Sequence, residues 1–276
     1  MAEANGNNQN AIEMIGITKT FGGVTALQDV NFAVARGEIR GLVGENGAGK
    51  STLMKILSGA QTEYQGDLKV WGKKVRFGGT GDAANHGIGM IYQELSVIDC
   101  LTVAENNFLG KQPVNRLGVV KWKTMQQEAE EHLNSLGIQV DVNLPLSLLP
   151  FSVRQMIEIA KVIFSGARII IMDEPTSSLS QTETHQLFNL VRTLKERGHT
   201  LIFISHFIED VMEISDAITI LKDGMLVETL TNTGLTKHDV INQMIGTTTG
   251  HLAVSYTHLR AHETSSMISY AVFCLK

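Results

Sequence analysis

Gly44-Glu45-Asn46-Gly47-Ala48-Gly49-Lys50-Ser51-Thr52 follows the apolar run 39–43 and leads into a helix-forming stretch at 52–57. Strand, G-x-x-x-x-G-K-[ST] and helix in that order are what a phosphate-cradling loop requires. Small residues at Gly47, Ala48 and Gly49 let successive backbone N–H groups curl around phosphate oxygens, and the helix that follows points the positive end of its dipole at them. Lys50 is then placed for the β- and γ-phosphates, and the Ser51 hydroxyl for Mg²⁺. Gly44, Glu45, Asn46 and Thr52 complete the set of candidate nucleotide contacts. A mobile glycine turn with a solvated lysine would not need this strand and this helix on either side.

Further along, the apolar run 169–172 ends in Asp173-Glu174. A strand tip of this kind holds a carboxylate against a metal ion or its bound water, so Asp173 is a candidate metal ligand and the second half of a nucleotide site. Around these two anchors the chain alternates apolar runs with turn signals. Residues 12–18, 30–34, 67–70 and 74–77 are expected as an antiparallel patch, and 88–92 as another short strand. Helices are expected at 103–109, 122–136 and 154–164, the middle one amphipathic with Glu128, Glu130 and Glu131 outward. The runs 169–172, 200–204 and 217–221, separated by helices at about 181–197 and 207–214, have the rhythm of a parallel sheet. The class is α/β with a helical insertion.

Composition narrows the function. The chain has 276 residues, 43% of them hydrophobic, enough for one large or two small domains with a core that needs no staples. Its 23 Lys+Arg against 28 Asp+Glu leave a charge of −5, which lacks the electrostatic footprint of a nucleic-acid binder. The apolar runs fall far short of the roughly 20 residues that span a bilayer. Two cysteines, Cys100 and Cys274, suggest neither a disulfide framework nor a zinc site. Residues 1–10 form a polar, Asn-rich leader without a signal-peptide core, expected to be disordered, so the chain is expected in the cytoplasm. Residues 254–276 are set aside. VSYTHLRAHET at 254–264 and ISYAVFCL at 268–275 back-translate in one frame into the two ends of a transposase-type sequencing-library adapter, with 265–267 as its index. On that reading the natural frame is interrupted near Ala253, residues 247–253 begin a linker, and Cys274 carries no meaning.

The order of motifs resembles an ATP-binding-cassette nucleotide-binding domain over about residues 11–246. The resemblance implies a P-loop NTPase fold with a RecA-like parallel-sheet core, an antiparallel β subdomain and a helical subdomain at about 94–165, with ATP and Mg²⁺ as ligands. Phe21, in Thr20-Phe21-Gly22-Gly23, sits where the family stacks an aromatic on adenine; a strand-end core Phe is the other reading. Tyr92-Gln93-Glu94 is similar to the Q-loop, which implies that Gln93 touches Mg²⁺ and the attacking water. Glu174 matches the general base and His206, in Ile204-Ser205-His206, the histidine that contacts the γ-phosphate. The other eight histidines are expected on the surface or in the tail. Ser178-Leu179-Ser180 resembles the D-loop, with Ser180 in place of the usual Asp.

The signature motif departs from the family. Aligned without gaps, the usual Leu-Ser-Gly-Gly-Gln is Leu149-Pro150-Phe151-Ser152-Val153, in which Pro150 lacks a hydroxyl and an N–H and Ser152 replaces a glycine. A gapped register, Phe151-Ser152-Val153-Arg154-Gln155, keeps Ser and Gln but rotates the next helix by roughly 200°. The ungapped one is preferred. Since each ATP in the family lies between one domain's phosphate loop and the opposite domain's signature, this defect concerns a partner's site, while the Lys50 and Glu174 site is intact.

Tyr92-Gln93-Glu94-Leu95-Ser96, the run Leu101-Thr102-Val103-Ala104-Glu105-Asn106-Asn107-Phe108-Leu109-Gly110 and Ile171-Met172-Asp173-Glu174-Pro175-Thr176-Ser177-Ser178-Leu179 resemble the ribose/galactose/xylose-type sugar importers. That implies an ATPase subunit at the cytoplasmic face of the membrane. Its implied partners are transmembrane permease subunits, indirectly a periplasmic or extracellular sugar-binding protein, and a second nucleotide-binding domain in the same long chain. Two alternatives stand beside this: a cassette ATPase acting outside transport, and a nucleotide-gated module with one hydrolysis-impaired site.

Overall fold

The structure, a computed structural model, describes residues 10–245. In chain order these form β1 (Asn10–Phe21), β2 (Val24–Ala35), β3 (Ile39–Val43), α1 (Lys50–Leu57), β4 (Gln65–Val70), β5 (Lys73–Val75), α2 (Thr80–Asn85), β6 (Ile88–Ile91), α3 (Val103–Asn107), α4 (Trp122–Ser135) and α5 (Phe151–Phe164). After them come β7 (Ile169–Asp173), α6 (Gln181–Glu196), β8 (Thr200–Ile204), α7 (Ile208–Ile214), β9 (Ala217–Lys222), β10 (Met225–Thr231) and α8 (Lys237–Ile245). Most of the leader, Gly246, the linker at 247–253 and the tail at 254–276 lie outside the described residues.

Two sheets carry the fold. A six-stranded sheet has the order β10-β9-β3-β8-β7-β6, and a four-stranded one the order β2-β1-β4-β5. Strands β3 and β8 bury every residue, as near-continuous Ile, Leu, Val and Phe runs do when both faces of a parallel sheet are covered. Their registers, Ile39↔Leu201 and Ile170↔Leu201, bring the ends of β3, β8 and β7 to one edge. The four-stranded sheet is antiparallel throughout. Its apolar positions Ile12, Met14, Ile17, Val30, Phe32 and Val34 are buried together with Leu53 of α1 and Ile171 of β7. On the other side of the parallel sheet, Phe188 of α6 packs edge-on against Phe203 at 5.9 Å, in a core shared with α3, α4 and α5.

Several expectations need correction. Asn10 is not leader but the first residue of β1, paired with Ala35. The two first strands run to 12 residues each because the ladder continues past shifts beside Gly16, at φ +63°. Helix α5 starts at Phe151 rather than Arg154, with Pro150 as its N-cap at an extended ψ of 153°, a helix entry where its missing N–H costs nothing. Helices α2 and α8 and strand β10 went unforeseen. His132 and His199 are half-buried rather than exposed, and burial pushes both imidazoles below their ordinary pKa. Glu128, Glu130 and Glu131 do face solvent. Among the described residues no helix is long and apolar enough to cross a membrane.

Candidate active site

The phosphate loop is built by β3 running into α1. Gly49 caps that helix at φ +102° with no side-chain cap, so the first-turn N–H groups remain directed into the loop without a competing hydroxyl or carboxylate. Lys50 is 8% exposed, and its ammonium donates to the carbonyls of Gly44 at 2.7 Å and Glu45 at 3.1 Å. Burial lowers its pKa, while Glu174 and Asp173 oppose that shift by favouring the charged form. The loop is also braced from outside. The Gly224 N–H donates to Ala48 O at 3.1 Å, and Gly224 O accepts the Gln28 N–H at 2.8 Å. Asp223 and Gly224 both have positive φ, +49° and +76°, as the two-residue turn between β9 and β10 demands. That brace was visible as an Asp-Gly dipeptide, and it was missed because β10 was missed.

Strand β7 delivers the carboxylates. Asp173 is its last residue and Glu174 follows in a left-handed conformation, φ +52°, with its N–H donating to Ile204 O at 2.9 Å. Glu174 Oε2 accepts from His206 Nδ1 at 2.6 Å and from the His206 backbone N–H at 3.3 Å. A carboxylate accepts only, so this contact puts the Nδ1 proton on His206. The pKa of Asp173 is raised, first by burial and then by the neighbouring Glu174, with Lys50 and Lys55 opposing. An acid whose folded pKa lies above its unfolded one binds its proton more tightly when folded, so stability falls as pH rises from the unfolded value through the folded one. At neutral pH the ionised Asp173 therefore costs stability. Asp173→Asn is expected to raise the melting temperature of the ligand-free chain at pH 7 by on the order of 2 °C, and to raise it less at pH 4. Scanning calorimetry at both pH values checks this; an unchanged or lower value at pH 7 contradicts it.

A cavity of about 270 Å³ gathers Asn46, Gly47, Ala48 and Gly49 with Lys50, Ser51, Thr52, Gln93, Asp173 and Glu174. The expected residues from three separate stretches thus share one wall. Ala26 also lines it, which no sequence signal announced. Phe21 and His206 are not in its lining, and Gly44 and Glu45 serve through their carbonyls to Lys50. Phe21 is 46% exposed at the β1–β2 turn, with the Lys19 ammonium 4.8 Å from its ring centre, so it is not the buried strand-end residue of the alternative reading. A larger groove of about 550 Å³, with Phe151 and Arg154 on one side and Gln93 to Leu95 on the other, offers neither a backbone cradle nor paired carboxylates. The smaller cavity is the one that has both. Its hydroxyl, carboxylate and amide are hard oxygen donors of the kind that suits Mg²⁺. Among the described residues no cluster of three His, Cys, Asp or Glu is placed to hold a metal ion.

Residues 27–177 match the family model described as ABC transporter. The chain belongs to the ABC transporter family. It is 46% identical over 237 residues to the xylose import ATP-binding protein XylG of Thermoanaerobacter pseudethanolicus, covering 85% of this chain and 47% of that one. It is 44% identical to the arabinose import ATP-binding protein AraG of Yersinia pestis, covering 86% of this chain and 45% of that one. It is 46% identical to the ribose import ATP-binding protein RbsA 1 of Rubrobacter xylanophilus, covering 85% of this chain and 47% of that one. The chain therefore spans about half the length of the curated relatives it matches. Among solved structures, the ADP conformation of MJ1267, an ATP-binding cassette of an ABC transporter, superposes with a TM-score of 0.72 at 22% identity, over 86% of this chain and 95% of that one. The structure of cbiO1 from Clostridium perfringens, part of the ABC transporter complex cbiONQ, does so with 0.72 at 22%, over 86% and 93%. These two carry the fold, that of an ATP-binding cassette of α/β, P-loop class.

Within this ABC-family fold the unusual motifs have local explanations. Ser180, where the family's D-loop has Asp, caps α6: its hydroxyl accepts the Glu183 N–H, and Glu183 accepts the Ser180 N–H at 2.9 Å in return. Serine and aspartate cap equally well. Pro150 caps α5 without a side-chain bond, and Ser152 lies inside the first turn. The Ser152 and Ser180 hydroxyls beside it hold the Glu183 carboxyl down at about 2.

Proposed function

We propose that this chain binds and hydrolyses ATP to energise import of a monosaccharide, at the cytoplasmic face of a membrane. It would do so with transmembrane permease subunits, indirectly a sugar-binding protein on the far side, and a second nucleotide-binding domain. The cassette is assigned to about residues 11–246, with its helical subdomain at about 94–165. One observation carries the chemical part: Lys50, Ser51, Gln93, Asp173 and Glu174 meet in one cavity beside an uncapped helix start. The choice of cargo class rests on the three sugar-import relatives.

In this reading the loop amides and Lys50 hold the β- and γ-phosphates and stabilise charge on the transferring phosphoryl. Mg²⁺, when bound, neutralises phosphate charge, and Ser51, Asp173 and Gln93 are the residues that would hold it. Glu174 orients water and accepts its proton; His206, bonded to Glu174, answers to the γ-phosphate. Phe21, its ring half-exposed, stacks on adenine.

The test has two arms. Binding of a fluorescent ATP analogue and phosphate release by the purified chain measure the chemical reading; Lys50→Ala is expected to remove both. Uptake of labelled xylose, arabinose and ribose by cells with the gene deleted measures the transport reading. Loss of one uptake supports it, and unchanged uptake of all three together with intact hydrolysis favours an ATPase outside transport. The signature face favours a second reading. Pro150 offers neither a hydroxyl nor an N–H, and Ser152, in the first turn of α5, stands where the family has a glycine. A site completed by this face therefore turns over slowly, which a stoichiometry of one ATP hydrolysed per two bound in the assembled transporter would reveal.

A further inference from the structure

Helix α5 sends Ile157, Ile159 and Ala160 into the core and carries Gln155, Glu158 and Lys161 at three-residue spacing along another stripe. That stripe bonds to both loops beside the cavity. Gln155, 6% exposed, donates to Pro175 O at 2.6 Å, one residue past Glu174. Glu158, fully buried, accepts on Oε1 the Ser96 N–H at 3.0 Å and the Ser96 hydroxyl, three residues past Gln93. Lys161 donates to Ser96 O at 3.1 Å. Among the described residues no cation pairs with Glu158, and Glu158 Oε2 and Gln155 Oε1 are buried without hydrogen-bond partners. Two polar side chains placed this way cost stability that an apolar pair of the same size would not.

Each loop is tied to the sheet at its other end. Ile91, two residues before Gln93, pairs with Met172, and the Glu174 N–H is held by Ile204 O. Both spans are therefore closed by one helix. We propose that Gln155, Glu158 and Ser96 are positioning residues that make α5 a strut, holding Gln93 and Glu174 in register so that a shift of α5 moves both together. Only the kinetic consequence rests on the ATPase reading.

The experiment cuts each end of the strut and reads the opposite loop. Ser96→Ala removes one donor at an exposed loop residue, and Gln155→Met keeps volume while removing the bond to Pro175. Hydrogen exchange on the full chain is expected to speed up about tenfold in both 92–99 and 174–180 for either variant, with the β3 and β8 peptides unchanged. Acceleration confined to the loop next to the cut, or none, overturns the coupling whether or not the chain hydrolyses ATP. If wild type hydrolyses ATP, Ser96→Ala should lower kcat about tenfold with KM within twofold, and Ser96→Thr should restore it. Equal losses in Ala and Thr also overturn it. A wild-type chain without hydrolysis fails the functional reading alone, and the exchange result still decides the strut.

Discussion

Replacing Glu174 by Gln is expected to lower steady-state ATP hydrolysis by at least about 100-fold while leaving ATP affinity within a few-fold of wild type. The substitution is nearly isosteric, and the amide oxygen of Gln can still accept the His206 Nδ1 proton that Glu174 Oε2 accepts at 2.6 Å. The left-handed backbone at this position, φ +52°, is the same for both residues. What is lost is an anionic oxygen that takes a proton from water. Lys50, whose charged form Glu174 and Asp173 support, keeps Asp173 after the substitution and with it most of its hold on phosphate. Phosphate release and fluorescent-nucleotide titration on the same preparation separate the two effects. Retention of more than about a tenth of the activity would move the base to another group and leave Glu174 as a tether for His206.

Much of this site was legible because phosphate chemistry allows few residue types. A loop that must wrap phosphate with its own amides needs glycines; its lysine and hydroxyl follow at fixed spacing; and the carboxylates sit at the end of a strand that reads as Ile-Ile-Ile-Met before Asp173. Such signals are local. Gln93 was placed only by motif order, since a lone loop glutamine carries no periodicity. The residues that hold it, Ser96 and Glu158, are 62 apart in sequence, and nothing in either neighbourhood announces the bond. The same holds for Ala26 and Gly224, which meet the phosphate loop across the sheet interface. Strand β10 escaped notice because five of its seven residues are exposed and its apolar pattern is weak. At Pro150 the sequence is ambiguous: proline breaks a helix interior but suits a helix entry, and since its ring fixes φ in either case, the extended ψ of 153° is what places it at the N-cap of α5.

Two of the loop glycines, Gly47 and Gly49, let strain and crowding be told apart at one site. Gly47 has φ +87° with open space where a Cβ would stand, so Gly47→Ala carries only the left-handed penalty, about 1–2 kcal/mol. Gly49 has φ +102°, and a Cβ there would meet Leu27 Cδ2 at 2.7 Å and Ala26 O at 2.8 Å. Leu27 is fully buried in β2 and Ala26 O is backbone, so neither yields without moving the strand. Gly49→Ala therefore adds an overpacking cost of about 1–3 kcal/mol to the same conformational penalty, about 2–5 kcal/mol in total. The damage is also functional. Gly49 sets the first turn of α1 and the direction of Lys50, so pushing it off Ala26 turns the amides and the ammonium away from one another, and ATP affinity is expected to fall by at least about 100-fold. Gly47→Ala should lose no more than about tenfold. Urea unfolding and nucleotide titration of both variants check the order. Equal effects at the two positions would mean that the loop relaxes freely around α1, and that β2 gives way where the packing of Leu27 says it should hold.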